Sequence, residues 1–176
     1  MVMPTVDTER LILRGLTMDD WEPYAAMWAD PRVTAFIGGE PRPRDVAWPK
    51  FGQAVAMWTL FGYGNWAVID RVDATFLGVC GLAHYERGIA ELAEFPEAGW
   101  AFVAASWGRG VASEAIGALV GWADVNGIAE TRCLIDDDNA ASIKVATRNG
   151  YVPCAMLPDK QVFRRQAPAD EGQGPS

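Results

Sequence analysis

One stretch, FPEAGWAFVAASWGRGVASEAIGALVGWADVNG at residues 95–127, limits the fold more than any other. Residues 95–103 read as a strand. From about 109 to 125, Val111, Ala115 and Leu119 run beside Ala112, Ile116 and Val120. These two neighbouring i, i+4 rows give the broad apolar face of a packed helix. Asn126 and Gly127 close that helix as a C-terminal glycine does. Between strand and helix stands SWGRG. So abrupt a turn needs glycines free to take φ > 0, and it leaves backbone N–H groups unsatisfied where the helix dipole is positive. Residues Trp107, Gly108, Arg109, Gly110, Val111, Ala112 and Ser113 therefore form an anion cradle, with Arg109 adding charge and Ser113 a hydroxyl. The alternative is a turn that only tightens the junction. Neither GxxxxGK[ST] nor an early GxGxxG of a parallel βαβ unit is present, so the cradle belongs to neither common nucleotide motif.

The flanking sequence alternates elements without an internal repeat. ERLILRG at 9–15 has strand alternation, and Thr17 with Asp20 resembles a capping box opening a helix over about 18–29, before Pro31. Its Trp21, Tyr24 and Trp28 fall three and four apart and read as core packing. Residues 44–61 form a second helix carrying Trp48, Phe51, Trp58 and Phe61. NWAVIDR and TFLGVCGLAHY make a hairpin around a turn near Asp73. TRCLI is a strand, DDDNAASIKVATRNGY a short helix ending on a glycine, and YVPCAM and QVFRR a last strand pair joined by LPDK. Helices interleaved with a mostly antiparallel sheet indicate an α/β (α+β) three-layer domain over 1–165, with 166–176 a disordered, Pro- and Gly-rich tail.

The 176 residues suffice for one core without a staple, since a chain of this size buries roughly 70% of its unfolded surface. Cys80, Cys133 and Cys154 lie in apolar runs without CxxC spacing and read as buried free thiols. With a single histidine, His84, no metal site is expected; that histidine reads as packed or superficial. The opening residues lack a basic and apolar leader, and no apolar run reaches about 18 residues. The expectation is a cytoplasmic protein with no membrane partner. A net charge of −8 disfavours nucleic acid and favours a cationic or amine-bearing partner.

A second constellation follows the first by about thirty residues: Asn139 at a helix start, Ser142 one turn on, then Val145 and Gly150-Tyr151. Alone it reads as an ordinary N-cap with a solvated serine. Together the two segments resemble the GNAT family of acyl-CoA-dependent N-acyltransferases. The first is similar to that family's (Q/R)xxGx(G/A) motif, here Trp107-Gly-Arg-Gly110-Val-Ala112, and the second to the NxxSxxVxxxxGF pattern of its RimJ/RimL-type subgroup. TERLILRGLTMDDWEPYAAMWADPRV and EAGW are also similar to that subgroup, so the resemblance spans roughly residues 8–165.

The resemblance implies a sheet splayed at an acyl-CoA site and acetyl transfer to a primary amine through a ternary complex. Acetyl-CoA is the implied co-substrate, its pyrophosphate on the amides of 108–113 and its neutral arm along Phe102 and Val103, with Asn139 reaching the same arm. Glu97 is the implied base, with Glu91 and Glu94 as rivals. Many relatives carry a tyrosine acid where this chain has Ala146, which leaves Ser142 or a water to protonate the departing thiolate. Trp107 replaces the usual Gln or Arg, and the short LPDK link implies an open acceptor cleft suited to a peptide N-terminus or bulky amine. A second aromatic wall, from the 44–61 helix and the strand at Asn65 and Trp66, reads more readily as core. The acceptor's identity is open, as is oligomeric state, a homodimer included. The main rival reading is a non-catalytic acyl-CoA-binding or sensing domain; a weaker one is a nucleotide-binding module.

Overall fold

The computed structural model describes residues 3–169. There are eight strands, alternating in burial in β2 and β6 and buried throughout in β4: β1 (Val6–Asp7), β2 (Leu11–Gly15), β3 (Asn65–Asp70), β4 (Phe76–Ala83), β5 (Glu97–Phe102), β6 (Glu130–Asp136), β7 (Val152–Met156) and β8 (Lys160–Gln166). Five helices join them: α1 (Trp21–Ala29), α2 (Pro31–Thr34), α3 (Arg44–Phe61), α4 (Val111–Val125) and α5 (Ala140–Arg148). The two-residue β1 and the four-residue α2 carry too short a pattern to be read from sequence.

The strands form one sheet in the order β1-β2-β3-β4-β5-β6-β8-β7. Every neighbouring pair is antiparallel except β5 and β6, which run parallel and meet at the single register pair Glu97↔Arg132. Beyond that point they part, and the sheet opens into a V. This is the expected three-layer architecture with its splay.

Each face of the sheet carries a core. On one side Leu16, Trp21, Tyr24, Trp28, Phe51 and Ala54 pack with Ala67, Val79 and Ala101, sealing α1 and α3 against the sheet. On the other, Ala115, Ile116 and Leu119 of α4 and Ala146 of α5 pack against Leu11, Leu13, Val68, Cys80 and Phe163. The stripe expected for 21–28 is thus buried. At the head of α1, Asp20 accepts from the Thr17 N–H at 2.8 Å and hydroxyl at 3.2 Å, forming the expected capping box, and pairs with Arg14 at 2.7 and 2.9 Å.

Three expectations need correction. The helix after the glycine loop begins at Val111, not near 109, because Gly108 and Gly110 take φ of 72° and 77°, outside the helical region. Cys80 and Cys133 are buried, but Cys154 is exposed: β7 is the last strand of the sheet and all its residues but the half-buried Ala155 are exposed. The expected boundary at 165/166 also moves, since Gln166 completes β8 and the Ala167 N–H donates to Ala129 O at 2.8 Å. The rest of the expected disordered tail, 170–176, lies outside the described residues.

Candidate active site

The glycine loop joins β5 to α4. Gly110 occupies the N-cap position and supplies no side-chain cap, so the N–H groups of Val111, Ala112 and Ser113 find no acceptor among the described residues. This leaves the orphan donors of a helix start beside two left-handed glycines. Trp107 and Arg109 are half exposed, and Arg109 lies 3.5 Å from Asp70.

The loop is held from below by a residue with no local signal. Arg10 donates to Arg109 O at 2.8 Å, and its Nε and backbone N–H bind the Glu114 carboxylate at 2.7 and 3.0 Å. Thr8 adds a hydroxyl donor to Glu114 at 2.6 Å. Burial pushes the Glu114 carboxyl up, and these hydrogen bonds outweigh it to hold the group below its ordinary range. A Cβ on Gly110 would stand 3.3 Å from Arg10 Nη2.

Backbone alternation decides what the edge of β5 can offer. The Val103 N–H donates to Leu77 O of β4 at 2.9 Å, so the odd-numbered residues turn toward β4 and the groups of Trp100 and Phe102 turn toward the V. The Val103 carbonyl accepts from both the N–H and the hydroxyl of Ser106, at 2.9 and 2.8 Å. Both polar backbone groups of Val103 are thereby engaged. The Phe102 carbonyl accepts from Trp107 Nε1 at 3.0 Å, which leaves its N–H for an edge partner. Trp107 thus ties the loop back to β5 through its indole.

Below the loop a cleft of about 600 Å³ runs from α1 and α3 to the start of α5. Glu97, Asn139 and Ser142 all line it, together with Trp100 and Gly99 of β5. The loop residues 107–113 do not, nor do Glu91, Glu94 and His84. Glu97 is 7% exposed and accepts from Arg87 at 2.9 and 3.0 Å. Burial raises its carboxyl above the ordinary value, and Arg87 pulls it back without cancelling the rise. Asn139 Oδ1 caps α5 by accepting from the Ser142 N–H at 3.0 Å. Ser142 Oγ accepts from Trp100 Nε1 at 3.3 Å, an indole contact that links β5 to α5 across the opening of the V. Ala146 is fully buried and offers no donor. Tyr151 is equally buried and pairs with Thr131 at 2.8 Å.

Of the aromatics on α3, Phe51 and Trp58 are core and Trp48 and Phe61 face outward; the helix lines the cleft instead with Lys50, Gln53, Ala54 and Met57. Trp66 is core while Asn65 reaches the cleft. Tyr24 and Trp28 serve both roles, buried yet lining it.

A family model for the acetyltransferase (GNAT) domain matches residues 10–152. The chain belongs to the GNAT acetyltransferase family. It is therefore an N-acetyltransferase, and the enzymes of this family draw on acetyl-CoA. An uncharacterized N-acetyltransferase, p20 of Bacillus licheniformis, is 28% identical over 167 residues, covering 89% of this chain and 87% of its own. The crystal structure of an acetyltransferase from Agrobacterium tumefaciens str. C58 is 31% identical, with a TM-score of 0.83 over 94% of this chain and 96% of that one. RimL, a ribosomal L7/L12 alpha-N-protein acetyltransferase solved with coenzyme A, shares the fold at 16% identity and a TM-score of 0.77, over 95% of this chain and 100% of its own. No described helix is long and apolar enough to cross a membrane.

Proposed function

We propose that this protein transfers the acetyl group of acetyl-CoA directly to a primary amine seated in the cleft, with Glu97 and Ser142 as its proton-handling residues. The observation that carries the reading is that these two side chains, 45 positions apart in sequence, line one cleft at the point where β5 and β6 part. Acetyl-CoA, when bound, supplies a thioester carbonyl open to attack. The residues present fit it. The unsatisfied N–H groups of 111–113 suit a pyrophosphate, glycine at 108 and 110 keeps Cβ atoms out of the way, and the free edge at Trp100 and Phe102 suits an amide-bearing arm. Val103 contributes through position only.

An amine attacks as the neutral base, so its proton must leave. Glu97, raised by burial, is the better acceptor for that shift and lies on the α1 and α3 side of the sheet. Arg87 holds the carboxylate in one orientation through both oxygens. The new N–C bond replaces the C–S bond, and a proton must reach the sulfur. Ser142 accepts from Trp100, which leaves its own O–H free to donate.

The test is thiol release from acetyl-CoA by the purified protein across pooled amines, including short peptides with varied N-termini, against an amine-free control. Release above the control with at least one pool is the expected result. Tight acetyl-CoA binding with no release from any pool would overturn direct transfer in this cleft, and no binding would overturn the loop as its cradle.

A further inference from the structure

The cleft carries an electrostatic feature that the transfer chemistry does not use. Four cations line it, Arg42, Lys50, Arg87 and Lys160, against three carboxylates, Glu86, Glu97 and Asp136. Two of the cations are spoken for, Arg87 by Glu97 and Lys160 by Asp136. Arg42 and Lys50 have no acidic partner among the described residues, in a chain whose net charge is −8.

Arg42 is not a loose surface arginine. Its guanidinium carbon lies 4.1 Å from the centroid of the Trp28 ring, Nη2 donates to Ile37 O at 2.8 Å, and its backbone N–H donates to Trp28 O at 2.8 Å. One of its five N–H donors is satisfied and the rest are held in a fixed plane. Burial, before any other influence, lowers its pKa, and burial with the nearby Arg42 and Arg87 lowers that of Lys50. Two neighbouring aromatic side chains add donors. Trp28 is 8% exposed and lines the cleft, and its buried Nε1 has no acceptor among the described residues. Burial pushes the Tyr24 hydroxyl up to about 12, so it stays a protonated donor at neutral pH.

Acetyl-CoA leaves this group without an occupant. Its phosphates are assigned to the loop at 108–113, which does not line the cleft, and its arm is uncharged. An anion that meets Arg42 and Lys50 must therefore arrive with the acceptor. Building on the proposed transfer reaction, we infer that the acceptor is a small amine bearing a compact oxyanion, a carboxylate or phosphonate, which Arg42 and Lys50 hold at the α3 side of the cleft while the amine faces Glu97. The chain's acidic balance suggests a purely cationic acceptor; the cleft's own charges favour an amino-acid-like one.

The experiment uses matched pairs differing only in the anion: α-amino acids with varied side chains against their amides, and aminoalkylphosphonates against the corresponding alkylamines. Thiol release is measured with wild type, Lys50→Met and Arg42→Met. The anionic member of at least one pair should show kcat/KM at least tenfold higher, and each variant should lose at least fivefold more on that member than on its neutral partner. Calorimetric binding of the N-acetylated products, carboxylate against amide, gives a readout independent of turnover. Preference for the carboxylate in wild type, lost in Lys50→Met, supports the inference even if no acetyl transfer is seen, in which case the transfer reading alone fails. Equal binding of both members, no binding of any, or activity confined to peptides with acidic side chains would overturn it.

Discussion

The two halves of the site are made of different material. At the entrance to α4 a single continuous segment, 107–113, presents backbone: uncapped N–H groups, two left-handed glycines and an indole tied to a carbonyl. In the cleft the working groups are side chains drawn from α1, the turn before α3, α3 itself, the 85–87 segment, β5 and α5 with its cap. One half takes its shape mainly from local conformation, buttressed by Arg10, and on the proposed reading would hold the same phosphate group whatever the other does. The other is fixed by how distant segments meet, and there selectivity can vary. If that division is real, damage to one half should leave the other's kinetic signature intact.

The largest effect is expected at Glu97. Glu97→Gln keeps the shape and one hydrogen-bond acceptor for Arg87 but removes the proton acceptor, and general-base losses run to about 10²–10⁴ in rate. We expect kcat to fall about 10²- to 10³-fold with the acetyl-CoA KM within about twofold. The wild-type rate should fail on the acid side at a pH above the ordinary glutamate range, because burial raises this carboxyl and only its ionised form takes a proton. A pH–rate profile of kcat/KM reads this directly. Equal losses in coenzyme affinity and turnover would break the division.

Gly110→Val attacks the other half. A non-glycine residue at φ of 77° costs about 1–2 kcal/mol, and the new Cβ meets Arg10 at 3.3 Å. The loop relieves that strain by moving, which spoils the cradle. The acetyl-CoA KM should rise about 30-fold, the equivalent of about 2 kcal/mol, with kcat at saturation changed less than threefold. A fall in kcat without a KM change would place the loop in the chemistry instead.

Asp20→Asn sharpens the comparison from outside both halves. Asp20 is 3% exposed and bound to Arg14 and Thr17, so its loss should cost about 2 kcal/mol of stability while both KM values stay put. Burial raises this carboxyl's pKa, but its hydrogen bonds win and the folded value lies below the ordinary 3.8. Its contribution is therefore complete above pH 3.8 and is lost as pH falls through the lower folded value. Urea titrations of wild type and variant should converge at the acid end.

The same division explains what could be read in advance. The strand, turn and helix of 95–127 write their geometry into adjacent residues, so their order was legible, with the strand and the helix each starting two positions later than expected; the splay followed only from the family resemblance. Arg10 is 99 residues from the carbonyl it holds, and nothing near it in ERLILRG marks it as a buttress. Arg42 and Lys50 had no chance of notice, because a lone cation near a helix start is ordinary until folding sets Trp28 beneath one and leaves both without a carboxylate. On α3 the core reading of Phe51 and Trp58 holds, but periodicity says which face is apolar, not which part of the helix meets a cleft, so Lys50, Gln53 and Met57 gave no signal.

Ser142 tests whether α5 belongs to the chemistry or only to the frame, and its effect should be the smallest. In the frame, the Ser142 N–H takes the Asn139 cap, which Ser142→Ala preserves because it is a backbone group. In the chemistry, the hydroxyl accepts from Trp100 and has one proton left to give. Water can replace a lost hydroxyl donor at an open cleft, so kcat should fall only about three- to tenfold, with unchanged stability and acetyl-CoA KM. Trp100→Phe removes the indole donor but leaves the serine proton, so it should cost less than Ser142→Ala if protonation of the leaving sulfur is the serine's task. Equal losses in the two variants would mean that the pair works by bracing β5 against α5. A Ser142→Ala loss as large as that of Glu97→Gln would mean that delivering a proton to sulfur, rather than taking one from the amine, limits the reaction.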